Sequence, residues 1–196
     1  MPSNPILIKR FLDLPGKEHG AARAGIEDIC VQGARAPFVS ANDKRIFLHT
    51  WINAYFQSAV EHVWIASRAR DAAIVGYLVG ACSPPDHAHG LPGQFHVSVF
   101  RDLWRAFPAH LHINVTATAR GHGVGGALIR AFLEDLRCRK IAGVHIVTVD
   151  GARNATFYRR AGFTVEHARS ALERNLVFMG QHLAEPPMYT SGTQRR

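Results

Sequence analysis

Four glycines fall within six residues in Arg120-Gly121-His122-Gly123-Val124-Gly125-Gly126. The run Leu111-His112-Ile113-Asn114-Val115 before them reads as a strand, and an amphipathic stretch, 127–139, reads as a helix after them. A turn of this kind leaves the first N–H groups of the helix without intrahelical partners. It also places the positive end of the helix dipole at the same point. Glycines let an anion approach the backbone with no Cβ in the way. The chemistry implied is a seat for a phosphate or pyrophosphate, built from the N–H groups of residues 122–126.

Three ligand classes use such a seat. A nucleoside triphosphate loop needs G-x-x-x-x-G-K followed by Ser or Thr. Here Gly126 is followed by Ala127 and Leu128, so the phosphate-binding Lys and the metal-binding hydroxyl are both missing. A dinucleotide loop needs G-x-G-x-x-G after the first strand of a parallel sheet. The glycines at 121, 123, 125 and 126 are spaced otherwise and come late in the chain, behind a hairpin-like pair of strands. Coenzyme A, whose pyrophosphate suits the same turn, is the third class.

Composition narrows the setting. The chain has 196 residues, 47% hydrophobic and 19% charged, which is enough for a core in one domain. Cys30, Cys82 and Cys138 are far apart and odd in number, so neither a disulfide framework nor a metal knuckle is expected. Free thiols suit a cytoplasmic location. The first residues show no basic-then-apolar leader, and no apolar run reaches the length of a membrane span. The net charge of +8 attracts anions in general. Its arginines are scattered, however, and the densest run, Arg137-Cys138-Arg139-Lys140, falls at a helix C-terminus where cations offset the dipole. Nucleic-acid binding is therefore not the expected function.

The elements that must position the turn follow from periodicity. Residues 5–11 read as a strand and 19–34 as a helix burying Ala22, Ile26, Ile29 and Cys30. Residues 41–58 read as a second helix, with Asn42 as N-cap and Ile46, Phe47, Trp51, Ile52 and Tyr55 on its apolar side. Segments 61–67 and 72–83 form a hairpin about 68–71. Segment 84–93 is a loop, and 84–108 an insertion with a short helix around 101–106. After the glycine turn come a buried strand at 144–149 and a helix at 154–161 closed by Gly162. Strands at 163–166 and 175–183 and a polar, disordered tail at 185–196 complete the chain. The fold class is α+β, a mixed sheet flanked by helices, in a domain spanning 1–184.

With these elements in order, the chain resembles the GNAT superfamily of N-acetyltransferases. That family's turn carries Gln or Arg, two residues, Gly, one residue, then Gly or Ala; Arg120, Gly123 and Gly125 supply it. Downstream, Asn154-Ala155-Thr156-Phe157-Tyr158-Arg159-Arg160-Ala161-Gly162-Phe163 is similar to a second family signature, with its Ala one position early. Ile74-Val75-Gly76-Tyr77-Leu78-Val79-Gly80 is similar to the family's third strand. The resemblance covers roughly 61–183.

The resemblance implies a mostly antiparallel sheet whose fourth and fifth strands splay apart. It implies acetyl-coenzyme A as cosubstrate, with its pyrophosphate on Gly121, His122, Gly123, Val124, Gly125 and Gly126 and with Arg120 beside it. Ile113, Asn114 and Val115 would hold the pantetheine arm as if adding a strand, and the Val115 N–H would polarise the thioester carbonyl. Asn154 would bind the pantetheine portion; its ordinary alternative is a helix N-cap. Tyr158 is the expected general acid for the departing thiolate; its ordinary alternative is a core aromatic. The general base stays open among His110, His112, Asp150, Glu61 and His62. No metal site is expected, since His110 and His112 lack a third ligand and Asp86-His87-Ala88-His89 reads as a solvated loop. The reaction implied is acetyl transfer to a primary amine by direct attack in a ternary complex; a silent acyl-coenzyme A-binding module is the alternative. The acceptor is a small-molecule amine or a protein amine, no membrane is involved, and segment 84–108 lines either the acceptor side or a homodimer contact.

Overall fold

The computed structural model describes residues 5–34, 36–85, 98–171 and 173–183. The tail at 185–196 and residues 86–97 of the expected loop and insertion lie outside the described residues. Seven strands form one sheet: β1 (Ile6–Arg10), β2 (Val63–Arg68), β3 (Ile74–Ala81), β4 (Ala109–Val115), β5 (Gly143–Val149), β6 (Val165–Ala171) and β7 (Arg174–His182), in the order β1-β2-β3-β4-β5-β7-β6. Every neighbouring pair is antiparallel except β4 and β5, which are parallel.

One face is covered by α1 (Gly16–Gln32), α2 (Ala41–Leu48) and α3 (Ala54–Ser58). A π-helical turn, His49–Asn53, joins α2 to α3. The other face is covered by α4 (Val124–Cys138), with α5 (Asn154–Arg160) beside it. The α4 stripe of Val124, Leu128, Ile129, Phe132, Leu133 and Leu136 recurs at helical spacing and is buried throughout. Burying side chains of this size contributes about 1.5–3 kcal/mol each, so this stripe fixes how α4 lies on β2, β3 and β4. Phe100, Phe107, Leu176 and Phe178 make a smaller third core.

Several local expectations shift. The cap of α2 is Ser40, whose hydroxyl accepts from the Asp43 N–H at 3.1 Å; Asn42 lies inside the helix and accepts from Arg45 instead. The 41–58 helix is interrupted by the π turn, which keeps Trp51 and Ile52 both facing the sheet region. Glu61 and His62 sit in a 3-10 turn before β2 rather than in the strand. A 3-10 turn at Arg101–Leu103 stands where the short helix was expected. Helix α5 ends as expected: Gly162 has φ +97°, its N–H donates to Arg159, and the Phe163 N–H donates to Tyr158. No helix among the described residues is long and apolar enough to cross a membrane.

Candidate active site

Strands β4 and β5 pair only at Ala109 with Val144 and His110 with His145, and then diverge. On its other side β4 stays paired with β3 as far as Val115 opposite Gly76. The Thr116 N–H donates to the Val75 carbonyl at 2.9 Å. Because successive N–H groups alternate across a strand, those of Ile113 and Val115, beyond the last pair with β5, point away from β3 into the gap beside β5. The gap is thus edged by unpaired backbone, which an extended ligand can complete as an added strand. The N–H and C=O of Asn114 face β3 instead, and its side chain lies on the α1–α3 face.

Beyond the gap, Val115 leads through a 3-10 turn to the glycine loop and α4. Gly121 and Gly123 both adopt φ +78°, and a Cβ built on either meets nothing within 4 Å. Gly123 occupies the N-cap position of α4, and no side chain caps the helix. The N–H groups of Val124, Gly125 and Gly126 therefore stand in the first turn with no intrahelical acceptor. Open space over the loop, free donors and the helix dipole together suit a pyrophosphate. Arg120 donates through Nε to the Val115 carbonyl at 3.1 Å and so braces the loop against the end of β4. The exposed His122 ring holds the Arg120 carbonyl through Nδ1 at 2.9 Å. Arg130, one turn along α4, folds back to 3.4 Å from the Cβ position of Gly126, a cation beside the seat that the sequence pattern did not single out.

Helix α5 closes the far side. Phe157 stands 3.1 Å from the Cβ position of Gly125, so α4 and α5 meet closely here and a side chain at 125 would require Phe157 to shift. Tyr158 is buried to 7% exposure in the core that includes Leu111, Ile146 and Val177. Its hydroxyl makes no hydrogen bond among the described residues, yet it is not among the polar atoms sealed from solvent without a partner. Burial pushes the phenol well above its ordinary value, so it stays protonated at working pH. Asn154 is the first residue of α5 rather than its cap. Its Oδ1 accepts from the Thr148 hydroxyl at 3.0 Å, which turns the amide N–H₂ outward from β5. Thr148, a buried hydroxyl in an apolar strand, was missed; its one polar place in VHIVTV after His145 was the available signal.

The five candidate bases fall in different places. Glu61 and His62 lie in the 3-10 turn just before β2, two strands from β4 and toward its N-terminal end, away from Val115. His110 is sealed, bonded through Nδ1 to the Ser83 carbonyl and held down to about 3 by burial and by His145. Asp150 is exposed beyond β5, where its Oδ1 accepts from the Gly151 N–H. It lines a shallow cavity of about 350 Å³ together with Thr148, Ala155 and Arg159. His112 is half-buried on the α1–α3 face near the mouth of the gap, under the ring of Trp51 at 4.7 Å. Burial holds it down to about 4, so it is neutral. Its Nε2 lies 3.1 Å from the Tyr77 hydroxyl, to which Asn114 also donates at 3.0 Å. The Asn114 amide nitrogen lies 3.2 Å from His112 Nε2 as well, so Tyr77 and Asn114 together position the ring. No group of His, Cys, Asp and Glu among the described residues could hold a metal ion.

The model of the acetyltransferase (GNAT) domain matches residues 59–165, which contain the gap, the glycine loop and Tyr158. No curated protein matches the chain significantly. Solved structures with the same fold include SsHAT, at 24% identity and TM-score 0.64, covering 92% of this chain and 99% of that one. They also include a chain of the NatC complex bound to Gag peptide and CoA, at 17% identity and TM-score 0.57, covering 91% and 99%. A third is YncA, a putative acetyltransferase from Salmonella typhimurium with its cofactor acetyl-CoA, at 13% identity and TM-score 0.58, covering 94% and 97%. The splayed β4–β5 pair, the uncapped glycine loop and the family match lead to one conclusion: the chain belongs to the GNAT acetyltransferase family and is an acyl-coenzyme A-dependent N-acyltransferase with acetyl-coenzyme A as cosubstrate.

Proposed function

We propose that the protein transfers the acetyl group of acetyl-coenzyme A to a primary amine by direct attack in a ternary complex. The observation that carries this reading is the gap between β4 and β5, whose edge offers free N–H groups next to the uncapped glycine loop. The cosubstrate supplies an activated thioester. Val124, Gly125 and Gly126 hold its pyrophosphate through backbone N–H groups, with Gly121, His122 and Arg120 shaping the loop. Ile113 and Val115 present backbone to the pantetheine arm, Asn114 keeps that strand tied to β3, and Asn154 offers its amide N–H₂ to the same arm. The Val115 N–H is the donor to the carbonyl oxygen, where charge develops.

His112 takes the proton of the attacking amine, and Tyr77 and Asn114 hold its ring in place through Nε2. Tyr158 gives its proton to the departing sulfur. A phenol held above its ordinary value is a weak acid, but a thiolate formed in the same desolvated gap is a correspondingly stronger base. No cysteine lies at the gap edge, which favours direct attack over an enzyme-bound acyl group. The acceptor is an amine of a small molecule or of a protein; the peptide held by the NatC complex makes peptides the first class to try.

The test is a mass-spectrometric acceptor screen with acetyl-coenzyme A against peptides, polyamines and other small amines, with the His112→Gln variant run in parallel. Acetylated product is expected, and His112→Gln should lower kcat on the order of 10²–10⁴-fold with cosubstrate affinity unchanged. Coenzyme A binding without transfer to any amine would instead mark a silent binding module.

A further inference from the structure

At the end of the sheet remote from the gap, three side chains that acetyl transfer does not use stand in sequence. Asp135 sits on the apolar stripe of α4 with 6% exposure. Its carboxylate accepts from Arg10 on β1, from Arg139 one turn along α4, and from His62 Nδ1 at 3.0 Å. His62 is 2% exposed, and its other nitrogen, Nε2, lies 3.0 Å from the sulfur of Cys82, the residue after β3. A carboxylate with two arginines on it can only accept, so Nδ1 of His62 carries the hydrogen. Nε2 then holds a lone pair aimed at Cys82, and the thiol donates to it. Cys82 is half-buried, whereas His62 and Asp135 are buried. This is the order of a nucleophile, its base and the group that orients the base.

We propose that Cys82 is a second acyl-accepting centre, with His62 as its base and Asp135 as the positioning residue, and that it takes the acyl group of a small acyl thioester. The Cys82 sulfur bonds to the thioester carbonyl carbon while its proton passes to His62 Nε2. The bond from that carbon to the departing sulfur breaks, and His62 returns the proton to it. One thioester and one thiol are consumed, and one thioester and one thiol are formed; no oxidant is involved.

The surroundings select this electrophile over oxidants and disulfides. Arg10 and Arg139 offset the charge of Asp135, Glu61 approaches His62 Nε2 at 3.7 Å, and burial dominates both members of the pair. Burial pushes the Cys82 thiol up to about 11 and moves His62 down, so the resting pair is neutral. Peroxides and disulfides are attacked by a standing thiolate. An acyl thioester can be attacked as the proton moves to a waiting base, and acyl thioesters are what this family handles. The proposal rests on family membership and is independent of the amine-acceptor reading.

The test uses the full chain at neutral pH with S-acetyl-N-acetylcysteamine as probe and site-resolved mass spectrometry of all three cysteines. Cys138 is exposed on the same helix as Asp135, so access alone ranks it ahead of half-buried Cys82. The expected result reverses that rank, with Cys82 acetylated on the order of a hundredfold faster. His62→Gln and Asp135→Asn should bring the Cys82 to Cys138 ratio below one without changing the Cys138 rate. An excess of desulfo-coenzyme A should leave Cys82 labelling unchanged. Faster labelling of Cys138 in the wild-type chain overturns the proposal, and that measurement stands even if a variant misfolds. So does an unaltered ratio in a folded His62→Gln variant, or loss of Cys82 labelling when the coenzyme A gap is blocked.

Discussion

In the mechanism proposed above a phenol and an imidazole divide the proton work of acetyl transfer, and burial sets the protonation of both. Tyr158 is raised and stays protonated, while His112 is lowered and stays neutral, so each starts in the form its role requires. Tyr158→Phe removes the proton donor and little else, since the hydroxyl has no hydrogen-bond partner among the described residues to orphan. The expected outcome is a kcat lower by about 10²-fold or more with acetyl-coenzyme A affinity nearly intact, measured by steady-state kinetics and calorimetry. An unchanged kcat across the pH range, with chemistry rate-limiting, would remove Tyr158 from the mechanism. The role assigned to Tyr158 came from its place in a motif. The choice of His112 among five bases needed tertiary neighbours, because nothing in the sequence distinguishes a sealed histidine at 110 from a half-buried one at 112.

Among the elements, α4 joins both functional ends of the molecule. Its first turn opens on the gap, and its last carries Asp135 to His62. Gly123→Asp puts a carboxylate and a side chain into the open space over the loop, at φ +78°. Calorimetry should show coenzyme A affinity reduced by about tenfold or more, roughly 1.4 kcal/mol or greater; an unaltered affinity would mean that the pyrophosphate lies elsewhere. The other end of α4 closes through Lys140 at φ +57°, where the Ile141 N–H returns to the Leu136 carbonyl at 3.0 Å. Glycine is the residue suited to that place, and Lys140→Gly should stabilise the fold by about 1 kcal/mol. Thermal denaturation would show this as a melting temperature higher by about 2–4 °C, and a fall would mean that the lysine makes a compensating contact.

For the molecule as a whole, the junction of β4 and β5 also sets acid stability. His110 and His145 face each other across the only two paired positions, at 6% and 1% exposure. Burial lowers them to about 3 and about 4, against 6.5 in the unfolded chain. Below 6.5 the unfolded chain therefore binds more protons than the folded one. Stability is complete above 6.5 and falls as the pH drops toward the folded values. Two such groups give a slope of up to about 2.7 kcal/mol per pH unit. Against a net stability of about 5–15 kcal/mol, acid titration followed by circular dichroism should show cooperative unfolding around pH 4 to 5. A signal flat from pH 7 to pH 4 would mean that one of these rings is not sealed.

The sequence by itself determined the order of the elements, the apolar stripe of α4 and the glycine turn, because these depend on spacing along one chain. Periodicity places Val124 to Leu136 on one face, and glycine is legible wherever φ must be positive. It also carried the family, through Arg120, Gly123, Gly125, Asn154 and Tyr158. Only the tertiary structure decided where β4 parts from β5, that Arg120 braces Val115, and that Thr148 holds Asn154. It alone brought Asp135, a charge on an apolar stripe, to His62 and Cys82 across 73 and 53 positions of sequence. Such pairs are set by how helices lie on a sheet, and burial, which fixes the protonation of every group discussed, exists only once they have packed.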